Sequence, residues 1–198
     1  MGVVFLGEMA EQLSLFEIEE AKWEPNIEVV SDVRDRNLLK MAYRYAWEHS
    51  DDPATKTGAI IYDSSVCINT IVGCGANHFP EGLNPSEEQK RDRDWKLKNI
   101  IHAEPAAIFD AAKVGKQTGW MTMYMPWVPC TECAKAIIDS GLASLVGHKQ
   151  MIMKTPQRWR ESTEYALELL RKCGVGLYMY DGKIGDCKSL FNDEVWEP

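Results

Sequence analysis

The sequence predicts an α/β fold in a single domain, with the sheet mostly parallel in its second half. Three observations lead there. Short apolar, β-rich runs alternate with amphipathic helical stretches. Glycine or proline closes most of these segments, as expected of helix stops and strand-linking turns. With 198 residues the chain is long enough for one substantial core and short for two. Strands separated by helical crossovers pack as a sheet covered on both faces.

In chain order, residues 1–30 mix acidic and scattered apolar positions up to Pro25 without a sustained period. They are expected to form an N-terminal arm, with residues 31–198 as the domain. Ser31-Asp32 is a helix-start signal ahead of Leu38, Leu39, Met41, Ala42, Tyr45 and Ala46, and the helix should end around His49–Asp52, before Pro53. Two strands are expected at Gly58–Tyr62 and Cys67–Gly73, around the turn-like Asp63-Ser64-Ser65. Residues 77–99 read as a polar connection, and their charge run Glu87–Lys98 as a solvated loop or helix face. A helix follows over Glu104–Val114, then a strand over Met121–Met125. A helix over Thr131–Ser140 stops at Gly141, and an apolar run spans Leu142–Gly147. The amphipathic helix Gln157–Lys172 stops at Gly174, and a last strand covers Gly176–Tyr180.

Composition excludes several classes. Lys and Arg number 22 against 30 Asp and Glu, a formal charge of −8, which disfavours polymeric nucleic acid as a substrate because backbone binding works by counterion release to basic side chains. The opening MGVVFLGEMAEQ has no basic segment ahead of its short apolar run, a poor export signal. No apolar run reaches the roughly 18–20 residues of a membrane-spanning helix. The expectation is a cytoplasmic protein without a membrane partner. Six cysteines are too few and too scattered for a disulfide framework, and only Cys130 and Cys133 are closely spaced.

Two segments carry chemistry: His102-Ala103-Glu104 and Pro129-Cys130-Thr131-Glu132-Cys133. Alone, the CxxC fits a redox pair, half of a zinc ribbon or two buried thiols. Each segment, however, sits where the chain enters a helix, whose free N–H groups and positive dipole end stabilise thiolates. Cys130 and Cys133 can point to one side and share a tetrahedral ion, with His102 as a third ligand. Three protein ligands leave a fourth position open for water, the mark of a catalytic zinc. Glu104, two residues past the His, is placed to contact that water and move its proton. H-x-E with P-C-x-x-C is the signature of zinc nucleobase deaminases.

The chain resembles the deoxycytidylate (dCMP) deaminase family of the zinc-dependent cytidine deaminase superfamily. The resemblance covers roughly residues 35–180. It rests on the two segments above, on Thr55–Ile61, on the loop Gly75-Ala76-Asn77-His78-Phe79-Pro80-Glu81-Gly82, and on Cys133–Ile138 with Ser140-Gly141. It implies a three-layer α-β-α cytidine-deaminase-like fold, a mixed sheet of about five strands flanked by helices. It implies His102, Cys130 and Cys133 as zinc ligands, Glu104 as proton shuttle, and Asn77 and Ala103 in substrate binding. One zinc per chain is expected, because no His or Cys lies between Phe79 and Ile101 to build a second site. The family's H-A-E-x-N is broken here by Ala106, while Pro105 suits the first turn of a helix.

The implied reaction is dCMP + H2O to dUMP + NH3, supplying thymidylate synthesis. The alternatives are a modified cytosine nucleotide or free nucleobase as substrate, or a non-catalytic zinc-stabilised protein on a replication complex. A monophosphate needs cations, and Lys149, Arg158 and Arg160 are the candidates, with Lys154 beside them. Trp127 and Trp159 are candidates to shield the pocket or stack on a base. Gln12-Leu13-Ser14-Leu15-Phe16 resembles the peptide by which bacterial proteins dock on the sliding clamp, so a clamp is an expected partner. The resemblance also implies a homo-oligomer.

Overall fold

A computed structural model describes residues 23–65 and 70–198. Gln12–Phe16 lies outside the described residues. The elements are β1 (Glu28–Val30), α1 (Val33–His49), β2 (Gly58–Asp63), β3 (Thr70–Ala76), α2 (Glu87–Arg91), α3 (Arg93–Asn99), α4 (Ala103–Lys113), β4 (Thr122–Tyr124), α5 (Thr131–Asp139), β5 (Ser144–His148), α6 (Lys149–Ile152), α7 (Gln157–Lys172), β6 (Gly176–Tyr180), β7 (Ser189–Phe191) and β8 (Glu194–Trp196).

The main sheet has six strands in the order β1-β6-β5-β4-β2-β3, one more than the sequence suggests. The extra edge strand is β1, paired in parallel with β6, so the sheet begins three residues ahead of Ser31. From β4 to β6 the pairing is parallel, and β2 runs antiparallel to both β3 and β4. The mixed α/β architecture is the one expected. Short elements add to those the sequence reading places. The Glu87–Lys98 charge run forms two helices, α2 and α3, started by the side chains of Ser86 and Asp92. β7 and β8 form a separate hairpin beyond Tyr180.

Two core layers hold the sheet. On one face Ile61, Met123 and Leu145 pack with Ala103, Ala107, Ile137 and Leu170 of α4, α5 and α7. On the other, Ile60, Tyr124 and Val146 meet Leu38, Leu39, Ala42 and Tyr43 of α1. The alternation along β2 assigns Ile60 and Ile61 to opposite faces, as period-two geometry requires.

Close approach of α4 to β3 fixes the site. A Cβ on Gly75 would stand 2.1 Å from the Ala103 carbonyl oxygen and 2.3 Å from the Ala107 nitrogen. Only glycine lets the helix backbone lie against the strand at this distance. The register of β2, β3 and β4 then brings residues 52–57, Asn77 and the segment after Tyr124 to one end of the sheet. That end, where β4 pairs in parallel on one side and antiparallel on the other, is where α/β sheets form ligand crevices.

Candidate metal centre and substrate cavity

His102 and Cys130 are the residues that enter α4 and α5, and neither side chain caps its own helix. Pro105 is the third residue of α4, where an N–H has no intrahelical partner to lose; the first such bond runs from Ala106 N–H to the His102 carbonyl. Cys133 lies one turn into α5, on the same face as Cys130. His102 Nδ1 is 3.2 Å from Cys133 Sγ and 3.5 Å from Cys130 Sγ. All three donor atoms lie within 4.8 Å of one another. Ligands of a tetrahedral zinc at about 2.0–2.3 Å stand about 3.5–3.8 Å apart, so spacing and donor chemistry both fit that ion.

Charge in the trio is shared. A hydrogen bond from the Cys133 thiol, followed by the bond to His102, pulls Cys130 down to about 4 against the cost of burial. The bond to Cys130 lifts His102 to about 9, and Cys133 is pushed far up because its proton is held by Cys130. A thiolate beside a cationic imidazole is an arrangement in which a divalent ion replaces shared protons. Glu104, on the first turn of α4, is buried beside them, and burial raises its carboxyl above the ordinary range.

A cavity of about 510 Å3 opens over this group. His102, Ala103, Glu104 and Cys130 line its inner part together with Asn77. The Asn77 side chain is fully engaged by the protein: Oδ1 accepts from Ser50 Oγ at 2.5 Å and from the Thr57 N–H at 2.9 Å, and Nδ2 donates to the Thr55 carbonyl at 2.8 Å. It therefore shapes the 50–57 loop that forms one cavity wall. Trp127 and Trp159 also line the cavity, packed edge-to-face with ring centroids 6.4 Å apart, and Trp127 donates to Thr155 Oγ1 at 2.7 Å.

The cationic residues are distributed differently from the sequence expectation. Arg158 lines the cavity. Lys149 does not; it pairs with Asp181 at 2.8 Å, just past the last residues of β5 and β6. Arg160 is likewise outside the lining, bonded to Gln157 Oε1 at 3.0 Å, because two helical positions past Arg158 point to another side of α7. Lys154 lies over the Trp196 ring. In their place stand Arg91, Arg93 and Lys96 from the charge run that reads as solvated surface. Asp52, Asn192 and Asp193 line the cavity too, outside the residues that the sequence marks as site candidates. Asp52 followed by Pro53 carries a turn signal, and its Oδ1 accepts from the Ala54 and Thr55 N–H groups; Asn192 and Asp193 have no comparable signature.

A family model described as the cytidine and deoxycytidylate deaminase zinc-binding region matches residues 32–149. The chain belongs to this family. The deoxycytidylate deaminase of Enterobacteria phage T2 is 45% identical over 92 residues, covering 46% of this chain and 45% of the relative. That of Mus musculus is 32% identical over 133 residues, covering 65% and 69%. The chain spans about half the length of several curated relatives that it matches. Among solved structures, the dCMP deaminase of cyanophage S-TIM5 in complex with dCMP and dUMP superimposes with a TM-score of 0.57 at 19% identity, over 77% of this chain and 99% of that one. At that identity the likeness establishes the deaminase fold. The matched family region contains His102, Glu104, Cys130 and Cys133, and zinc is the ion this family centre takes.

Proposed function

We propose that this chain is a zinc-dependent hydrolase that deaminates a cytosine nucleotide, dCMP + H2O giving dUMP + NH3, and so supplies thymidylate synthesis. The observation that carries the reading is one cavity with a buried carboxylate beside a His-Cys-Cys trio at its floor and arginines at its rim. His102, Cys130 and Cys133 would hold one zinc per chain. Zinc bound there supplies Lewis acidity and an acidified water at neutral pH.

Glu104 moves the protons. Its burial raises the carboxyl above the ordinary carboxylate range, which favours taking a proton from water and passing it on. It would pass one proton to ring N3 and the next to the exocyclic nitrogen, as the C4–N bond breaks and ammonia departs with C4 keeping the water oxygen. The Ala103 and Asn77 wall and the two tryptophans hold the nucleoside and keep bulk water out. Arg158, with Arg91 and Arg93, offers the guanidinium forks suited to a phosphate.

The reading extends to assembly and compartment. A homo-oligomer is supported by large apolar side chains left exposed at Phe109, Val114 and Trp120. Among the described residues no helix is long and apolar enough to cross a membrane. A cytoplasmic place is supported by the five described cysteines, all free thiols. Docking on a sliding clamp through Gln12–Phe16 rests on that peptide alone.

The test is a deamination panel with dCMP, CMP, deoxycytidine, dCTP, cytosine, guanine and 5-methyl-dCMP, with Glu104→Ala as control. Ammonia release from dCMP that is abolished in the variant is the expected result. Turnover of a free base in preference to dCMP would overturn the nucleotide assignment.

A further inference from the structure

The C-terminal hairpin reaches the cavity rim with its turn. Asn192 and Asp193 both adopt left-handed backbone, with φ of 51° and 64°, as a tight two-residue hairpin turn requires. The tip is pinned to the 54–56 loop by three bonds: Asp193 N–H to the Ala54 carbonyl at 2.8 Å, Asn192 N–H to Thr55 Oγ1 at 3.1 Å, and Lys56 N–H to the Leu190 carbonyl at 2.9 Å. Its two side chains then meet two of the rim arginines. Arg158 Nη2 donates to Asn192 Oδ1 at 3.1 Å, and Arg91 Nη1 stands 3.7 Å from Asp193 Oδ1. Arg93 lies over the Trp159 ring, its guanidinium carbon 5.7 Å from the centroid, and has no carboxylate partner among the described residues.

The charges at this rim add to a definite number. Three arginines against the Asp193 carboxylate leave two net positive charges, and Lys96 is neutralised by Asp52 deeper in the wall. Two positive charges match the dianion of one phosphate at neutral pH. A further phosphate brings more negative charge toward Asp193, which repels it. The Arg91–Asp193 contact is itself weak, with side chains 63% and 67% exposed, so a phosphate can take Arg91 from it at small cost.

From this arrangement we infer that Asp193 is a specificity residue that limits the cavity to nucleotides with a single phosphate. The inference rests on the nucleotide reading above. The pinned turn fixes the backbone that carries the carboxylate at the rim, and the carboxylate acts by like-charge repulsion against the larger anion.

The test is calorimetric binding of dUMP and dUDP to the zinc-loaded full chain and to Asp193→Asn and Asp193→Glu. Asn adopts left-handed backbone as readily as Asp, so the first variant removes the charge without straining the turn. The expected result is that the preference for dUMP over dUDP falls about fivefold in Asp193→Asn at low ionic strength and is kept in Asp193→Glu. A preference unchanged in Asp193→Asn, or both affinities weakened together, overturns the proposal. If dCMP is not turned over while this preference shifts as expected, the deaminase reading falls and the role of Asp193 stands.

Discussion

Asp52 holds the ammonium of Lys96 at 2.9 Å inside the cavity wall, with side-chain exposures of only 7% and 13%. The same Oδ1 accepts from the Ala54 and Thr55 N–H groups at 2.8 and 3.0 Å, so Asp52 keeps other donors when the lysine is removed. The lysine has only this carboxylate as its ion partner among the described residues. Removing Asp52 therefore leaves a buried ammonium and two free N–H groups. Asp52→Ala is expected to destabilise by about 3–5 kcal/mol, and Lys96→Met by about 1–2 kcal/mol. Urea denaturation of both variants checks the asymmetry; equal losses would contradict it.

Gly75 is the second sensitive point. A methyl there meets backbone atoms of α4 at 2.1 and 2.3 Å, and backbone cannot rotate aside as a side chain does. Gly75→Ala should push α4 off β3, carrying His102 and Glu104 with it, at a cost of about 3 kcal/mol or more. Purified Gly75→Ala is expected to hold well under one zinc per chain by elemental analysis. Gly119, with open space where a Cβ would stand, is the control: Gly119→Ala should keep full metal content and near-native stability.

The ligands and Glu104 should separate in a metal assay. Cys133→Ala or His102→Ala removes a donor from the trio and should abolish stoichiometric zinc. Glu104→Gln keeps all three donors and a side chain of the same size, so zinc content should stay near one per chain. Its deamination rate should fall by about 10²–10⁴-fold, the usual scale of a lost proton-transfer group. Loss of zinc from Glu104→Gln would mean that this carboxylate belongs to the metal site itself.

What the sequence makes legible here is local chemistry, and what it hides is long-range placement. His102, Glu104, Cys130 and Cys133 stand out because helix entry and three-residue spacing dictate their common side. Helix α7 and strand β6 match the expected bounds because Gly174 and the amphipathic period mark them in the chain itself. Arg91 and Arg93 read as solvated surface, and they are indeed exposed; only the packing of α2 and α3 over the cavity turns exposure into a binding rim. Lys149 looks equivalent to Arg158 in sequence, yet the strand β5 carries it to Asp181. Asn192 and Asp193 reach the rim from 137 to 139 residues beyond the loop they contact, a distance no local pattern reports. Edge strand β1 is three residues long with two exposed positions, too short to show alternation.

His148 supplies a pH-dependent prediction away from the metal. It is fully buried, accepts from the Tyr43 hydroxyl at 2.8 Å through Nδ1 and donates from Nε2 to the Gly182 carbonyl at 3.0 Å, with the Trp196 ring stacked beside it. Burial lowers it from 6.5 to about 4, outweighing the Gly182 bond and the nearby Asp181. An unfolded chain takes up the proton near 6.5 while the folded one resists until about 4. The stabilisation is thus whole above pH 6.5, declines as pH falls, and is exhausted below about 4. Between pH 7.5 and 5 the loss amounts to about 2 kcal/mol. His148→Gln keeps a donor and an acceptor but does not titrate, so the stability gap between the native protein and the variant should narrow by that amount over this range. Denaturant melts at the two pH values measure it, and acid effects on the zinc centre cancel in the difference. A gap that stays constant from pH 7.5 to 5 would show that His148 takes up its proton in the fold as readily as in the unfolded chain.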